Sequence, residues 1–275
     1  GVVWHSGFPV DLAIQKNVSG VSSITAYDRF RGAYSLFTDN DLAEQNQGGH
    51  KFDSMNGFDV RTLSASTVQL AWMWKRAKGY FDAVAYSGTG SATTVAHSLG
   101  AVPEMMWLKQ RGQAENWQVY NSESGNTKAM RLNMSVASYT STSFNNTTPT
   151  KTVFSVDNSN AVNGSGRTYI AFLFATLPGI SKVGQVTIVA NVDQDVDCGF
   201  SAGARFLLIK RFSDTGHWDL FDTKRGIVAG NDPRLQLNRT NAQYSGDDYI
   251  DPYSAGFSIN GGLWNSGDYL FYAIA

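Results

Sequence analysis

Three aspartates alternate along a short stretch of the chain. Asp193, Asp195 and Asp197 stand in the sequence DQDVD, so in a β-strand their carboxylates would share one face. Carboxylate oxygens are ligands that Ca²⁺ prefers, but a calcium site normally takes roughly six to eight oxygens from a folded loop. Charged side chains also discourage edge-to-edge pairing of strands. We interpret the stretch as a charged strand edge and predict no metal site.

Residue combinations that could catalyse a reaction are scarce. The histidines lack metal-site spacing, and no GxSxG nucleophile motif is present. Glycan hydrolysis needs two carboxylates about 5 to 9.5 Å apart, and Glu104 corresponds to Asp11 in an earlier part of the chain, which favours a role in folding. Cys198 is the single cysteine, which excludes an internal disulfide. We therefore predict that the chain is not an enzyme and needs no cofactor.

The composition excludes two classes of partner. The net charge is −1, so no long-range field attracts nucleic acid. No stretch approaches the roughly 20 apolar residues that cross a bilayer, so we expect no membrane insertion. Charged residues make up 16% of the chain and aromatic residues 13%, so neutral polar residues must form much of the surface. Such a surface fits an extracellular or particle location.

One ordered series of residues occurs three times. Each copy begins with an apolar run that ends in a lysine, and the three lysines are 93 and 101 residues apart. An aromatic residue with an acid or amide follows, and then a phenylalanine in a short strand-like stretch. The positions are Lys16, Lys109 and Lys210; Asp28, Asn121 and Asp222; and Phe58, Phe154 and Phe257. This series predicts a tandem repeat.

The repeated segments have the character of strands. They are short and rich in β-branched and aromatic residues, and clusters of Gly, Asn and Ser separate them. We predict an all-β protein of tandem antiparallel β-sandwich repeats, about 95 residues each. The predicted units are 1–78, 79–178 and 179–275. Their short linkers imply that successive units pack against each other.

The first unit is expected to be incomplete. "YFDAVAYSGTG" opens the second copy and "VGQVTIVANV" opens the third, but the first copy has no equivalent. We expect that the chain is cropped there or that another chain supplies the strand. Within each unit we also expect the lysine to contact the residue of the second series, so that Lys16 and Lys210 form ion pairs and Lys109 a hydrogen bond.

A set of motifs runs along nearly the whole chain. They are "YSGTGSATTVAHSLGAVPEMMWLKQRG", "YDRFRG", "GFDV" and the aromatic strands "AWMWK" and "AFLFA", and the third copy departs by lacking the Gly-Thr-Gly and Leu-Gly-x-x-Pro pieces. This set resembles a repeat-type β domain of tailed-phage virion proteins. The resemblance implies a virion location in a tail fibre or tail-associated protein. It also implies self-association, as a homotrimer, contact with other virion proteins and with the host surface, and no catalytic residues.

A loop near the end of the chain is the candidate contact site for a host glycan. Its sequence "SINGGLWNSGDY" carries Asn260, Trp264 and Asn265, and loops on a rigid sandwich commonly bind ligands. The function hypothesis is a non-enzymatic virion structural protein. Two alternatives stay open: a secreted carbohydrate-binding protein, and a glycan-degrading enzyme.

Overall fold

The computed structural model describes residues 2–48, 50–60 and 68–275. Within these ranges the chain consists of antiparallel β-sheets and one short 3₁₀ helix, Gly261–Leu263. The all-β fold class is therefore confirmed. Gly1, at which the predicted incomplete unit begins, lies outside the described residues.

The strands fall into three groups along the chain, which we call units 1, 2 and 3. Unit 1 holds β1 (Val2–His5), β2 (Leu12–Asn17), β3 (Thr25–Asp28), β4 (Tyr34–Phe37), β5 (Gln45–Asn46), β6 (Gly57–Val60) and β7 (Gln69–Trp74). Unit 2 holds β8 (Phe81–Ser87), β9 (Thr93–Ala96), β10 (Met105–Gln110), β11 (Gln118–Asn121), β12 (Lys128–Arg131), β13 (Tyr139–Thr140), β14 (Val153–Val156) and β15 (Thr168–Phe174). Unit 3 holds β16 (Ser181–Ile188), β17 (Gln194–Asp197), β18 (Phe206–Arg211), β19 (Trp218–Asp222), β20 (Leu235–Gln236), β21 (Ile250–Tyr253), β22 (Gly256–Ile259) and β23 (Gly267–Ile274).

Each unit combines one large and one small antiparallel sheet. The large sheets have the orders β5-β4-β3-β2-β7, β13-β12-β11-β10-β15-β8 and β16-β23-β18-β19-β20. The small sheets are β1-β6, β9-β14 and β17-β22-β21. The strands β2, β10 and β18 carry Lys16, Lys109 and Lys210. In each large sheet this strand lies between the next strand of the chain and the last strand of the unit, which we call the closing strand (β7, β15 or β23). No described sheet crosses from one predicted unit into the next; the unit boundaries themselves stay predictions.

The closing strands β15 and β23 are mostly buried on both faces, whereas most side chains of β7 are half-buried. β15 illustrates the reason for burial on both faces. Its Phe172 and Phe174 lie in a core shared with the other units. Its Ala171 and Leu173 point the other way, into the interior of unit 2 between the large and small sheets. Successive side chains of a strand point to opposite faces of the sheet. A strand that is covered on both faces is therefore apolar at its odd and its even positions alike.

One hydrophobic core joins all three units. It contains Trp72 of unit 1, Trp107 of unit 2 and Leu208 of unit 3, together with other side chains from each large sheet. Aromatic rings meet across the boundaries: Trp74 lies edge-to-face with Phe206 at 5.5 Å between ring centroids. Three smaller cores fill the interiors of the individual units. The units are therefore packed against one another rather than strung on free linkers.

Unit 1 differs from the others at one sheet edge. In unit 2 the closing strand β15 pairs with β8 on its outer side, and in unit 3 β23 pairs with β16. In unit 1 the closing strand β7 pairs with β2 and ends the described sheet. The expected gap in the first unit therefore coincides with an uncovered sheet edge.

We predict that the shared core makes the chain unfold as one cooperative unit. Leu208 is 1% exposed in that core, so Leu208→Ala should lower the free energy of unfolding by about 2–5 kcal/mol. Calorimetry and tryptophan fluorescence should both show one transition, shifted as a whole. Leu263→Ala is the matched control, because Leu263 is 44% exposed. A separate early transition confined to unit 3 would contradict the prediction.

Candidate functional site

Three buried lysines lie where the units meet. Lys16 is 1% exposed, and Lys109 and Lys210 are fully buried. Each ammonium donates a hydrogen bond to a backbone carbonyl of a different unit. The acceptor of Lys16 is Thr240 at 2.8 Å, that of Lys109 is Asp41 at 3.2 Å, and that of Lys210 is Ser135 at 3.1 Å. Unit 1 thus reaches unit 3, unit 2 reaches unit 1, and unit 3 reaches unit 2.

The same three carbonyls each accept a second hydrogen bond. The donor is always the backbone N–H of the residue six positions after the lysine. These bonds run from Ser22 to Thr240 at 2.9 Å, from Glu115 to Asp41 at 2.8 Å, and from Gly216 to Ser135 at 2.9 Å. The surroundings of the three lysines therefore correspond, and the contacts between units close into a cycle.

Burial sets the protonation of these lysines. Removal of the ammonium from water lowers the pKa of Lys16, Lys109 and Lys210 to about 8. The carbonyls of the lysine's own unit add acceptors: Lys210 also donates to Gly216 at 2.6 Å and to Arg211 at 2.8 Å. A buried charge needs such partners because desolvation otherwise expels it.

The expected contact between each lysine and the Asp28, Asn121 or Asp222 position is wrong. Asp222 instead pairs with Arg225 at 2.6 Å, and Asp28 pairs with Arg31 three residues on. Asn121 donates to the Ser124 hydroxyl at 2.8 Å. The physical reason is strand register. Asp28 lies opposite Leu12, four residues before Lys16, which is about 13 Å along a strand.

Indole N–H groups also cross between units. Trp117 of unit 2 donates to the carbonyl of Phe37 in unit 1 at 2.8 Å. Trp218 of unit 3 donates to the carbonyl of Arg131 in unit 2 at 3.0 Å. Both rings lie in the shared core. Each bond runs from one unit to the unit before it in the chain, as the Lys109 and Lys210 contacts do. The indole bonds therefore join the same pairs of units as these two lysines.

The predicted glycan-contact loop is largely turned inward. Trp264 is 6% exposed, and its indole donates to the Tyr249 carbonyl at 2.9 Å. Asn260 caps the 3₁₀ helix by accepting from the Gly262 N–H. Asn265 is exposed. Trp264 and Asn265 line a cavity of about 230 Å³, and Asn260 is not part of its lining. Trp264 presents no open face on which a sugar ring could stack.

A larger groove follows the uncovered edge of unit 1. It has a volume of about 500 Å³, and its floor is the β7 segment that contains Leu70, Ala71, Trp72 and Met73. One wall is the end of β1. The other wall belongs to unit 3 and comprises Arg205, Phe206, Asp222, Thr223 and Lys224. Sequence reasoning marked the missing strand but not this groove, because the second wall comes from a distant part of the chain.

Unit 1 also contains a polar pocket of about 500 Å³. Its lining includes Gln15, Asn17, Tyr27 and His50, and the rings of Tyr27 and His50 stack at 4.1 Å between centroids. The Gln15 Nε2 donates to the Gln69 side chain, whereas the Gln15 Oε1 and the His50 Nδ1 are buried without a hydrogen-bond partner. Burial lowers the pKa of His50, so the ring is neutral near pH 7. Amide, hydroxyl and imidazole groups of this kind can hydrogen-bond a polyhydroxylated ligand.

Metal ligands do not converge in the described part of the chain. No group of three His, Cys, Asp or Glu side chains is placed to hold an ion there. Asp193 accepts a hydrogen bond from the Gly261 N–H, and Asp197 accepts one from the Gly199 N–H. Each carboxylate thus serves a nearby turn.

The fold defines the chain as an all-β protein of packed antiparallel sandwiches. A family model described as a domain of unknown function, DUF7483, matches residues 2–275, and the chain belongs to this family. The single model spans all three units. No curated protein and no solved structure matches the chain. None of the described residues form a helix long and apolar enough to cross a membrane.

We predict that Lys210→Met destabilises the chain, and increasingly so at alkaline pH. Methionine cannot donate to the three carbonyls, so the free energy of unfolding should fall by about 1–3 kcal/mol at pH 7. The unfolded chain keeps the lysine proton up to pH 10.5, whereas the folded chain releases it near 8. The unfolded state therefore binds more protons between these values, and this lysine's contribution to stability rises with pH there.

Denaturant unfolding at pH 7 and pH 9.5 measures this effect. The difference between wild type and Lys210→Met should widen by about 2 kcal/mol between pH 7 and pH 9.5. Lys128→Met is the matched control, because Lys128 is exposed on β12. Equal stability of Lys210→Met and wild type at both pH values would contradict the prediction.

Proposed function

We propose that this chain is a non-enzymatic structural module of a bacteriophage virion, in a tail fibre or a tail-associated protein. The observation that supports the proposal is the closed cycle of contacts around Lys16, Lys109 and Lys210. A unit can leave this cycle only by breaking the lysine–carbonyl hydrogen bonds at two boundaries and opening the shared core. Such an interlocked chain suits a particle component that must stay folded outside a cell.

The partners proposed for this module are other virion proteins and further copies of the chain, in a homotrimer. The three large sheets already bury one another within one chain. A homotrimer would therefore join through outer surfaces. Exposed apolar side chains available there include Val21 and Met55.

Contact with a host-surface glycan is the second proposed role, and it rests on the polar pocket of unit 1. Gln15 pairs with Ala71 in register, and the corresponding residues of units 2 and 3 are Leu108 and Ile209. Both counterparts are fully buried apolar residues. Gln15 is half-buried and donates to the Gln69 side chain, which leaves its amide oxygen as the acceptor that a ligand would use. The same pocket would serve the alternative of a secreted carbohydrate-binding protein.

The location is tested by electron microscopy of phage particles with gold-labelled antibodies against the purified chain. We expect labels on the tail, in a regular number per particle. Native mass spectrometry of the chain at micromolar concentration should show a trimer. Unlabelled particles, together with the protein found free in the culture medium, would favour the secreted carbohydrate-binding protein instead.

Glycan contact is tested with Gln15→Leu, which installs the residue found in unit 2. The variant should lose binding to an array of bacterial surface polysaccharides by about ten-fold or more, because the amide oxygen that would accept from a sugar hydroxyl leaves the pocket. The variant also loses the hydrogen bond from Gln15 to the Gln69 side chain, so near-ultraviolet circular dichroism and the thermal midpoint check that it is folded. Wild-type protein that binds no glycan, or a variant that binds equally well, would exclude this pocket as the contact site.

A further inference from the structure

A polar cavity of about 230 Å³ lies at one end of the interior of unit 3. Arg211 on β18, Asp219 on β19 and Tyr269 on β23 line it, and strand pairing brings these three residues to the same end of the large sheet. They lie on the sheet face that also carries Leu207 and Phe221 of the unit 3 core, because residues two apart in a strand share a face. The cavity is therefore the polar end of the unit 3 sandwich.

The equivalent end of unit 2 is built from two glutamines. Gln110 corresponds to Arg211 and Gln118 to Asp219, because each follows the matched lysine or tryptophan in the sequence. Gln110 is 1% exposed and Gln118 is 4% exposed, and the side-chain oxygen of each accepts a hydrogen bond at 2.6 Å from within unit 2. Neutral amides can therefore close a sandwich end of this kind, whereas unit 3 places a guanidinium and a carboxylate around a cavity.

The charges that line the cavity of unit 3 do not balance. Arg234 pairs with Asp219 at 3.4 Å, but the ion-pair partner of Arg211 is Asp214, whose side chain is 63% exposed and outside the lining. Such an exposed ion pair is weak. The Nε of Arg211 is buried without a hydrogen-bond partner. Burial lowers the pKa of His217, so this ring is neutral near pH 7 and the lining keeps one excess positive charge.

Groups suited to bind hydroxyls surround this charge. The Oδ1 of Asp219 accepts two hydrogen bonds, one of them from Gln236 at 2.9 Å, which leaves Oδ2 as an acceptor. The Asn238 amide donates to the Nδ1 of His217 at 3.0 Å, so the neutral ring carries its proton on Nε2 and can donate it. The amide of Asn265 also lines the cavity. Convergent donors and acceptors of this kind fix the orientation of a polar ligand.

One wall of the cavity is aromatic. Trp264 meets Tyr249 and Tyr269 edge-to-face, at 5.4 and 5.3 Å between ring centroids. All three residues are buried, so packing fixes the positions of their rings. The wall offers apolar contact to the C–H groups of a ligand ring, without the open indole face that stacking requires.

We propose that this cavity binds one acidic sugar unit, with the carboxylate of the sugar on the Arg211 guanidinium. The carboxylate accepts from the buried Nε–H in a charge-assisted hydrogen bond. The sugar hydroxyls bond to Asp219 and His217, and the C–H groups of the ring contact the aromatic wall. The cavity is smaller than the roughly 300 to 1,000 Å³ of pockets for drug-sized ligands, which limits the occupant to a single ring.

The test compares two sugars that differ in a carboxylate, methyl β-D-glucuronide and methyl β-D-glucoside, on the purified 275-residue protein. Nuclear magnetic resonance with ¹⁵N-labelled tryptophan follows the indole N–H of Trp264, and the signal missing from Trp264→Phe assigns it. The glucuronide should shift this signal saturably. The glucoside should bind about ten-fold more weakly or worse, because it leaves the Arg211 Nε–H without an acceptor.

Variants of Arg211 test the proposed carboxylate contact. Arg211→Gln installs the residue found in unit 2 and should weaken glucuronide binding about ten-fold or more, with near-ultraviolet circular dichroism to check the fold. Arg211→Lys keeps the charge but loses the Nε–H, and it should weaken binding about three-fold or more. Arg205→Gln is the matched control, because Arg205 is exposed and lies six residues, about 20 Å, away at the other end of β18.

The proposal is wrong if the glucuronide does not bind saturably, if both sugars bind equally well, or if folded Arg211 variants bind as the wild type does. Acetate that binds as tightly as the glucuronide would also overturn it, because the cavity would then be a site for a simple anion. Trp264 reports on unit 3, so Gln15→Leu should bind the glucuronide there as the wild type does. The glycan contact proposed for unit 1 and this site can therefore fail independently.

Discussion

The structure depends on the burial of three ammonium groups at the boundaries between units. Removing an ammonium from water is expensive unless hydrogen-bond acceptors surround it. Here the surrounding acceptors are backbone carbonyls, and one carbonyl at each lysine comes from a neighbouring unit. A unit that folded alone would leave its lysine short of an acceptor. The packing of the units is therefore a condition for satisfying each of them.

The cycle also explains why the large sheets can be apolar on both faces. One face of each sheet covers the interior of its own unit, and the other covers the shared core. Trp117 and Trp218 fill that core with their rings while their N–H groups bond to the adjacent unit. Apolar contact provides most of the stabilisation here, and the directional bonds of lysine and indole define the register between units.

The sequence could predict the β-strands and the equivalent positions of three lysines, Lys16, Lys109 and Lys210. Both predictions rest on alternation and spacing of residues along the chain, which the sequence shows directly. The partners of these lysines could not. A backbone carbonyl has no sequence signature, and Thr240 is 224 residues from Lys16. Spacing suggested the nearest matched carboxylates instead, and strand register placed those out of reach. The prediction of Trp264 as a glycan-contact residue failed for a related reason. A tryptophan in a Gly/Asn-rich loop is expected to be exposed, but the tertiary fold places Tyr249 beside this one.

Two departures from the pattern of the other units lie in unit 1, at Gln15 and at the outer edge of β7. A position that is alike in all three units is explained by folding, because folding is what the units have in common. Gln15 replaces a core leucine or isoleucine, and β7 lacks the strand that its counterparts have. Gln15 is half-buried and donates to Gln69, whereas Leu108 and Ile209 are fully buried. Most side chains of β7 are likewise half-buried, whereas those of β15 and β23 are mostly buried. Unit 1 therefore buries less of its surface at these two places than units 2 and 3 do, and it relies there on the face that packs into the shared core.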